Sequence, residues 1–327
     1  MPRASRPGEF ALIEQYFRPL APGAAALGLG DDAALLRPRS GEDLVLTTDT
    51  VAAGVHFFAD DPAESIARKA LRVNLSDLAA KGAEPVGYLM ALALPADWTE
   101  PWMRRFCGAL ADDQRTYGIG LLGGDTIRAA GGLTITITAV GSVPRGAMVK
   151  RAGARPGDAI FVSGTIGDST LGLRVRRADI AAKGAGARFV LDRYLHPQPR
   201  TTLASTLRRY ASAAMDVSDG LVGDLAHICD VSGVGAEIRG DRVPLSDAGC
   251  KLVAAGKVGL GELLNGGEDF EILATVPPAN TARFAGAAKR AGVVVTEIGV
   301  VTAGSGPPKV RDSRGQTIAV GASHAHF

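Results

Sequence analysis

The sequence predicts an α/β protein, α+β layered, built as two mixed domains. Apolar runs of strand length, such as "PVGYLMALALP" (85–95), alternate along the chain with amphipathic helical stretches, the pattern that builds layered α/β domains. The 327 residues are enough for two domains of ordinary size. Between the two halves, "PRGAMVKRAGARPGDAIFVSG" (144–164) gathers two prolines, four glycines and a basic knot. This places the boundary near residue 150, giving domains 1–150 and 151–327.

The elements follow in order. "GEFALIEQYF" (8–17) reads as a short amphipathic helix, and "DLVLTTDT" (43–50) as a strand that ends in polar residues. "DPAESIARKALRVNLSDLAAKGA" (61–83) is a long helix, with Pro62 near its first turn and Gly82 near its end. After the strand 85–95 come a helix (101–118), a strand "IGLLGGDT" (119–126) and "GLTITITAVGSV" (132–143). The last alternates threonine with aliphatic residues, as a half-exposed strand does. In the second half "DAIFVSG" is a strand, "DSTLGLRVRRADIAAKGAG" holds a helix, and "HPQPR" (196–200) is a linker. "SAAMDVSDGLVGDLAHICDVSG" runs from strand to helix, "GGEDFEILATV" is a strand and "PANTARFAGAAKRAG" a helix, with small strands and loops to the end.

Composition narrows the function classes. Lys and Arg number 36 against 34 Asp and Glu, for a formal charge of +2. With no basic stripe or tail, the chain offers nucleic acid no electrostatic footprint. No stretch approaches the ~18 uninterrupted apolar residues of a membrane span, and the N-terminus lacks an apolar core of signal-peptide length. Cys107, Cys229 and Cys250 are widely spaced and form no CxxC pair, which fits reduced thiols. The expectation is a cytoplasmic protein.

The chemistry is in the acids. Asp32 follows a glycine-rich turn in "GLGDDAALL", and Asp49 ends the strand of "LTTDT". Asp77 lies inside a helix otherwise full of Ala, Leu and Val, and Asp125 follows an apolar strand in "LLGGDT". Asp216 and Asp219 flank a strand-to-helix junction in "AMDVSDG". Alone, Asp219 reads as a helix N-cap and Asp49 as a turn residue. Together, six acids at the edges of apolar segments in a nearly neutral chain predict a converging cluster, and such a cluster is stable only around cations. An oxygen-only donor set favours Mg²⁺ or a similar hard ion. Mg²⁺ on carboxylates commonly also holds phosphates, yet the chain has no GxxxxGK[ST] loop and no GxGxxG after a strand. Any nucleotide is therefore held by carboxylates and ions, with Arg151 in "MVKRAGARPGD" the best-placed basic group. His56 lies beside two phenylalanines in "AAGVHFF", and Glu268 follows two glycines in "NGGEDFEI"; each alone reads as structural.

Ten segments in order resemble one family: "GEFALIEQYF", "GLGDDAALL", "TTDTVAAGVHF", "KALRVNLSDLAAKGAEP", "LLGGDT", "KRAGARPGD", "VSGTIGDSTLGL", "HPQPR", "MDVSDGLVGDLAHI" and "NGGEDFEIL". They are similar to those of thiamine-monophosphate kinases, in the group that includes aminoimidazole ribonucleotide synthetases and selenophosphate synthetases. The resemblance implies transfer of the γ-phosphoryl of ATP to thiamine monophosphate, giving thiamine diphosphate and ADP. It implies a homodimer in which N-terminal strands of two subunits form a barrel, and several Mg²⁺ ions. Asp32, Asp49, Asp77, Asp125, Asp216 and Asp219 would be metal ligands, with Thr48 assisting. Gly124, Asp125, Arg151 and Ser218 would contact ATP, and His56 and Glu268 the thiamine phosphate. No residue is implied as a general base, because the acceptor phosphate is largely dianionic at neutral pH, its second pKa being about 6.

One departure stands out. The family's aromatic residue after a glycine near the C-terminus is replaced here by Ala322 after Gly321, so Phe327 or another aromatic would have to pack on the thiamine. The first cysteine is Cys107, which argues against a selenophosphate synthetase with its reactive N-terminal residue. A sibling enzyme of the aminoimidazole ribonucleotide synthetase type, or a non-catalytic nucleotide-binding protein on the same fold, remain the alternatives.

Overall fold

The computed structural model describes residues 7–180 and 183–321. It divides into two compact units, one of Met1–Leu78 with Glu84–Gly146 and the other of Ala79–Ala83 with Ala147–Phe327.

In the first unit, α1 (Glu9–Leu12) passes directly into a π-helical turn, Ile13–Phe17. Then come β1 (Glu42–Ala52), α2 (Ala63–Ala80), β2 (Glu84–Leu94), α3 (Glu100–Tyr117), β3 (Gly120–Arg128) and β4 (Thr134–Pro144). The strands form one sheet in the order β1-β4-β2-β3. β4 runs antiparallel to both β1 and β2, while β3 lies parallel to β2 after the α3 crossover, as a parallel pair requires. Alternate strand residues, among them Val45, Tyr88, Leu92, Ile135 and Ile137, are buried along with Leu71, Leu75, Phe106 and Leu110 of the helices. Arg72 clamps α2 to α3 by donating from two nitrogens to Asp113, both at 2.7 Å. Thr99 Oγ1 caps α3 by accepting from Trp102 N–H at 3.3 Å.

The opposite side of this sheet carries Leu46 (64% exposed), Leu89 (40% exposed) and a threonine ladder. Thr50 and Thr136 hydroxyls meet across it at 2.7 Å. Within one chain the sheet is therefore open, not the closed barrel that the resemblance implies for two subunits.

The second unit contains β5 (Ala159–Ser163), α4 (Asp168–Arg176), α5 (Ala185–Leu195), α6 (Ala204–Tyr210), β6 (Ala213–Asp216), α7 (Leu221–Ser232) and β7 (Gly235–Arg239). It continues with α8 (Asp247–Ala254), α9 (Leu260–Asn265), β8 (Ile272–Val276), α10 (Thr281–Arg290), β9 (Val295–Thr302) and β10 (Lys309–Arg311). The sheet order is β10-β7-β9-β5-β8-β6. Its middle is apolar throughout because both faces are covered. Ile160, Val162, Met215 and Leu273 pack with Leu225 and Ile228 of α7. Their strand neighbours Phe161, Ala214 and Ala274 pack with Leu207 and Phe284 on the other side.

The expected strand "GGEDFEILATV" is shorter than its apolar pattern implies. Only Ile272–Val276 is strand. The residues before it form a loop in which Glu268 (φ 67) and Phe270 (φ 50) take left-handed backbone conformations, which break a strand.

Candidate active site

In the first unit, strand alternation sorts the β1 side chains. Thr47 and Asp49 lie on the helix-covered side. Asp49 N–H donates to Asn74 Oδ1 of α2 at 3.1 Å, and the Thr47 hydroxyl donates to Asp77 Oδ2. Burial first, then the nearby Asp77 charge, pushes Asp49 up to about 6. Two carboxylates this close repel unless a proton or a cation lies with them. Thr48, expected beside Asp49, is on the other side. Its hydroxyl reaches Thr138 Oγ1 at 3.1 Å and donates to Ile137 O at 3.2 Å. Thr47 is thus the hydroxyl that meets the acid pair, and period-2 alternation is the signal that could have identified it.

Asp32 and Asp125 line one open cleft of about 780 Å³, together with Asp31, Gly124 and the π turn's Phe17. Gly124 is required there: at φ 157 its added Cβ would lie 1.9 Å from Met90 O. β3 bulges at Leu122, where the register steps from Tyr88↔Leu121 to Leu89↔Gly123, and this brings Asp125 opposite Ala91. Asp49 and Asp77 are not among the cleft's lining residues. His56 sits half-buried after β1. Its Nδ1 accepts from Ala52 N–H at 3.2 Å, so the neutral ring carries its proton on Nε2. Buried Lys69 donates to His56 O at 2.9 Å.

In the second unit, two loops interlock. Asp216 is the buried last residue of β6. Beyond it, Ser218 O accepts from Glu268 N–H at 2.7 Å and Val217 O from Phe270 N–H at 2.8 Å. The approach is so close that a Cβ on Gly267 would lie 2.4 Å from Ser218 O, which is what the paired glycines of "NGGED" are for. Asp219 N–H donates to Asp224 Oδ2 at 3.1 Å. Burial and the Asp219 charge push Asp224 up to about 7 against the pull of nearby backbone N–H groups. Arg151 is exposed, on a segment laid along β6 through Ala214 N–H to Lys150 O at 3.0 Å.

Two groups here, Asp224 and His227, were missed from the pattern, and Asp269, beside Glu268 in "NGGEDFEI", reads from the sequence only as a loop residue. Asp269, almost fully buried, accepts from Gly167 and Ser169 N–H at 2.6 and 3.1 Å and so caps α4. Burial pushes it up to about 8. Asp224 and His227 come within reach of Asp219. Their spacing of three on a helix that starts just after Asp219 was the available signal. Ala322 and Phe327 lie outside the described residues.

The family model for the AIR synthase related protein, N-terminal domain, matches residues 30–143, and its C-terminal counterpart matches 155–308. The chain is 43% identical over 313 residues to the thiamine-monophosphate kinase of Caulobacter vibrioides, covering 93% of this chain and 87% of that one. The chain belongs to the thiamine-monophosphate kinase family. Among solved thiamine-monophosphate kinases, that of Stenotrophomonas maltophilia K279a superposes with a TM-score of 0.84 at 39% identity, covering 95% of this chain and 98% of that one. AaThiL, complexed with AMPPCP and TMP, superposes with a TM-score of 0.77 at 32% identity, covering 99% of this chain and 100% of that one. Among the described residues, no helix of this kinase-family chain is long and apolar enough to cross a membrane.

Proposed function

We propose that this chain is a phosphotransferase that moves the γ-phosphoryl of ATP onto the phosphate of thiamine monophosphate, releasing thiamine diphosphate and ADP. The observation that carries this reading is the likeness, over 99% of the chain, to a relative complexed with AMPPCP and TMP.

The residue chemistry supports it. The acceptor is already a nucleophile, so the barrier is repulsion between two polyanions. Phosphoryl transfer rests on positioning and charge neutralisation. Asp49 and Asp77 fit a hard divalent ion: both offer oxygen, and burial with the nearby Asp77 charge raises Asp49 above the usual carboxylate range. Asp32, Asp49, Asp77, Asp125, Asp216 and Asp219 are the residues that would hold Mg²⁺, which would supply the positive charge that lets two phosphates approach. The Thr48 side chain, implied by the family as assisting, turns to the other side of β1, and Thr47 takes the place beside the acids by orienting Asp77. Gly124 and Asp125 receive ATP on a bare stretch of backbone. Arg151 offers a permanently charged fork to a phosphate, and Ser218 lies on the loop that Glu268 anchors. His56 donates from Nε2 to the thiamine phosphate, and Glu268 faces the same substrate. The N-terminal domain, 1–150, carries the dimer face: the open side of the first sheet, with Leu46 and Leu89, pairs with a second copy to complete a barrel. The C-terminal domain is 151–327. The reaction takes place in the reducing cytoplasm, which suits three free cysteines.

The deciding experiment is coupled detection of ADP from purified protein, ATP and Mg²⁺. ADP release that starts only when thiamine monophosphate is added is the expected result. Binding of a non-hydrolysable ATP analogue with no thiamine monophosphate binding by calorimetry would replace this reading with a sibling enzyme or a binding module.

A further inference from the structure

We propose that Asp219, Asp224 and His227 form a binding site for a divalent first-row transition ion, distinct in donor chemistry from the oxygen-only pair Asp49–Asp77. Asp224 lies in the first turn of α7 and His227 three residues further on, so both leave the same face of the helix. Asp219 is drawn against them by its own N–H bond to Asp224 Oδ2, at 3.1 Å. One donor atom from each of the three side chains lies within 4.8 Å of the other two.

An independent observation points to a ligand. Asp224 is 0% exposed, and its Oδ1 has no hydrogen-bond partner. The N–H groups of Ser218 and Gly220 lie near the carboxylate without completing a bond to that oxygen. A buried carboxylate oxygen left unpaired is rare in native proteins and calls for an ion or a donor. The α7 N-terminus opposes a cation with the equivalent of about half a positive charge; two carboxylates outweigh it. One imidazole nitrogen with two carboxylate oxygens suits Mn²⁺, Co²⁺ or Zn²⁺, whereas Mg²⁺ favours oxygen and keeps its waters. Asp219 belongs also to the Mg²⁺ set proposed above, but binding of a transition ion to metal-free protein does not rest on that reading.

The test uses the full chain stripped by chelator and titrated with Co²⁺ alone, followed by calorimetry and by visible ligand-field absorption. Wild type is expected to show one such site per chain. His227→Ala, an exposed substitution, is expected to weaken it by about tenfold or more and to leave the Mg²⁺ isotherm in place. Asp224→Asn is expected to act likewise, and His227→Ala carries the test if that variant does not fold. Wild-type Co²⁺ affinity and stoichiometry in His227→Ala, or no absorption band in wild type, overturns the proposal.

Discussion

Asp77 shows how far a single side chain can be read. A carboxylate amid Ala, Leu and Val in mid-helix is costly unless something meets it, and in the fold Thr47 and Asp49 both do. Asp77→Asn removes the charge and keeps the shape. It is expected to cut turnover at least ~100-fold, the scale of losing one electrostatic contact to a developing charge, with the thermal midpoint nearly unchanged. ADP release and thermal unfolding measure both, and near-native turnover at saturating Mg²⁺ would take Asp77 out of the metal set. Arg151 is exposed, so its loss costs no packing. Arg151→Ala is expected to raise KM for ATP about tenfold, the loss of one charge-assisted contact; an unchanged KM would remove it from the nucleotide site. The acids stood out in the sequence because their neighbours are apolar. Thr47 did not, since which of two adjacent threonines faces the helices depends on the register of β1 against β4.

The loop before β8 shows what an element's own pattern hides. "EDFEIL" reads as strand because Phe, Ile and Leu dominate it, yet Asp269 and Glu271 are the residues that set its course. Glu271 is fully buried between Arg193 at 2.6 Å and Arg200, with Ser163 Oγ donating to it at 2.5 Å. Asp269 turns inward to cap α4. These partners lie between 71 and 108 residues away in the chain, out of reach of any local periodicity. The cap has a pH signature. Asp269 stands at about 8 in the fold against an ordinary 3.8, so the folded state holds a proton that the unfolded state has released. Its contribution is complete below the unfolded value and is lost as pH rises towards about 8, at up to ~1.4 kcal/mol per pH unit. Metal-free protein is therefore expected to lose stability from about pH 5 to pH 8, with a shallower slope in Asp269→Asn. Denaturant midpoints across that range decide it, and equal slopes in both proteins would show that Asp269 does not carry the effect.

The two sheets differ in what covers them. The second is apolar on both faces and helices pack on each. The first packs its long helices, α2 and α3, on one side, and its other side exposes Leu46 and Leu89 between threonines. Apolar residues in the middle of an open sheet face mark an interaction surface. Leu46→Asp is expected to shift the protein from dimer to monomer in sedimentation velocity without unfolding it. A wild-type monomer at micromolar concentration would rule out the paired barrel.

Alternation of strand and helix, the one-sided threonine pattern of β4 and the acids beside apolar runs are properties of neighbouring residues, and neighbours alone establish them. Which carboxylate meets which, the inward turn of Asp269 and the approach of Asp224 and His227 to Asp219 were decided by packing. Contacts between distant segments depend on strand register and on which helix face is buried, and many pairings are compatible with one local pattern until the core selects among them.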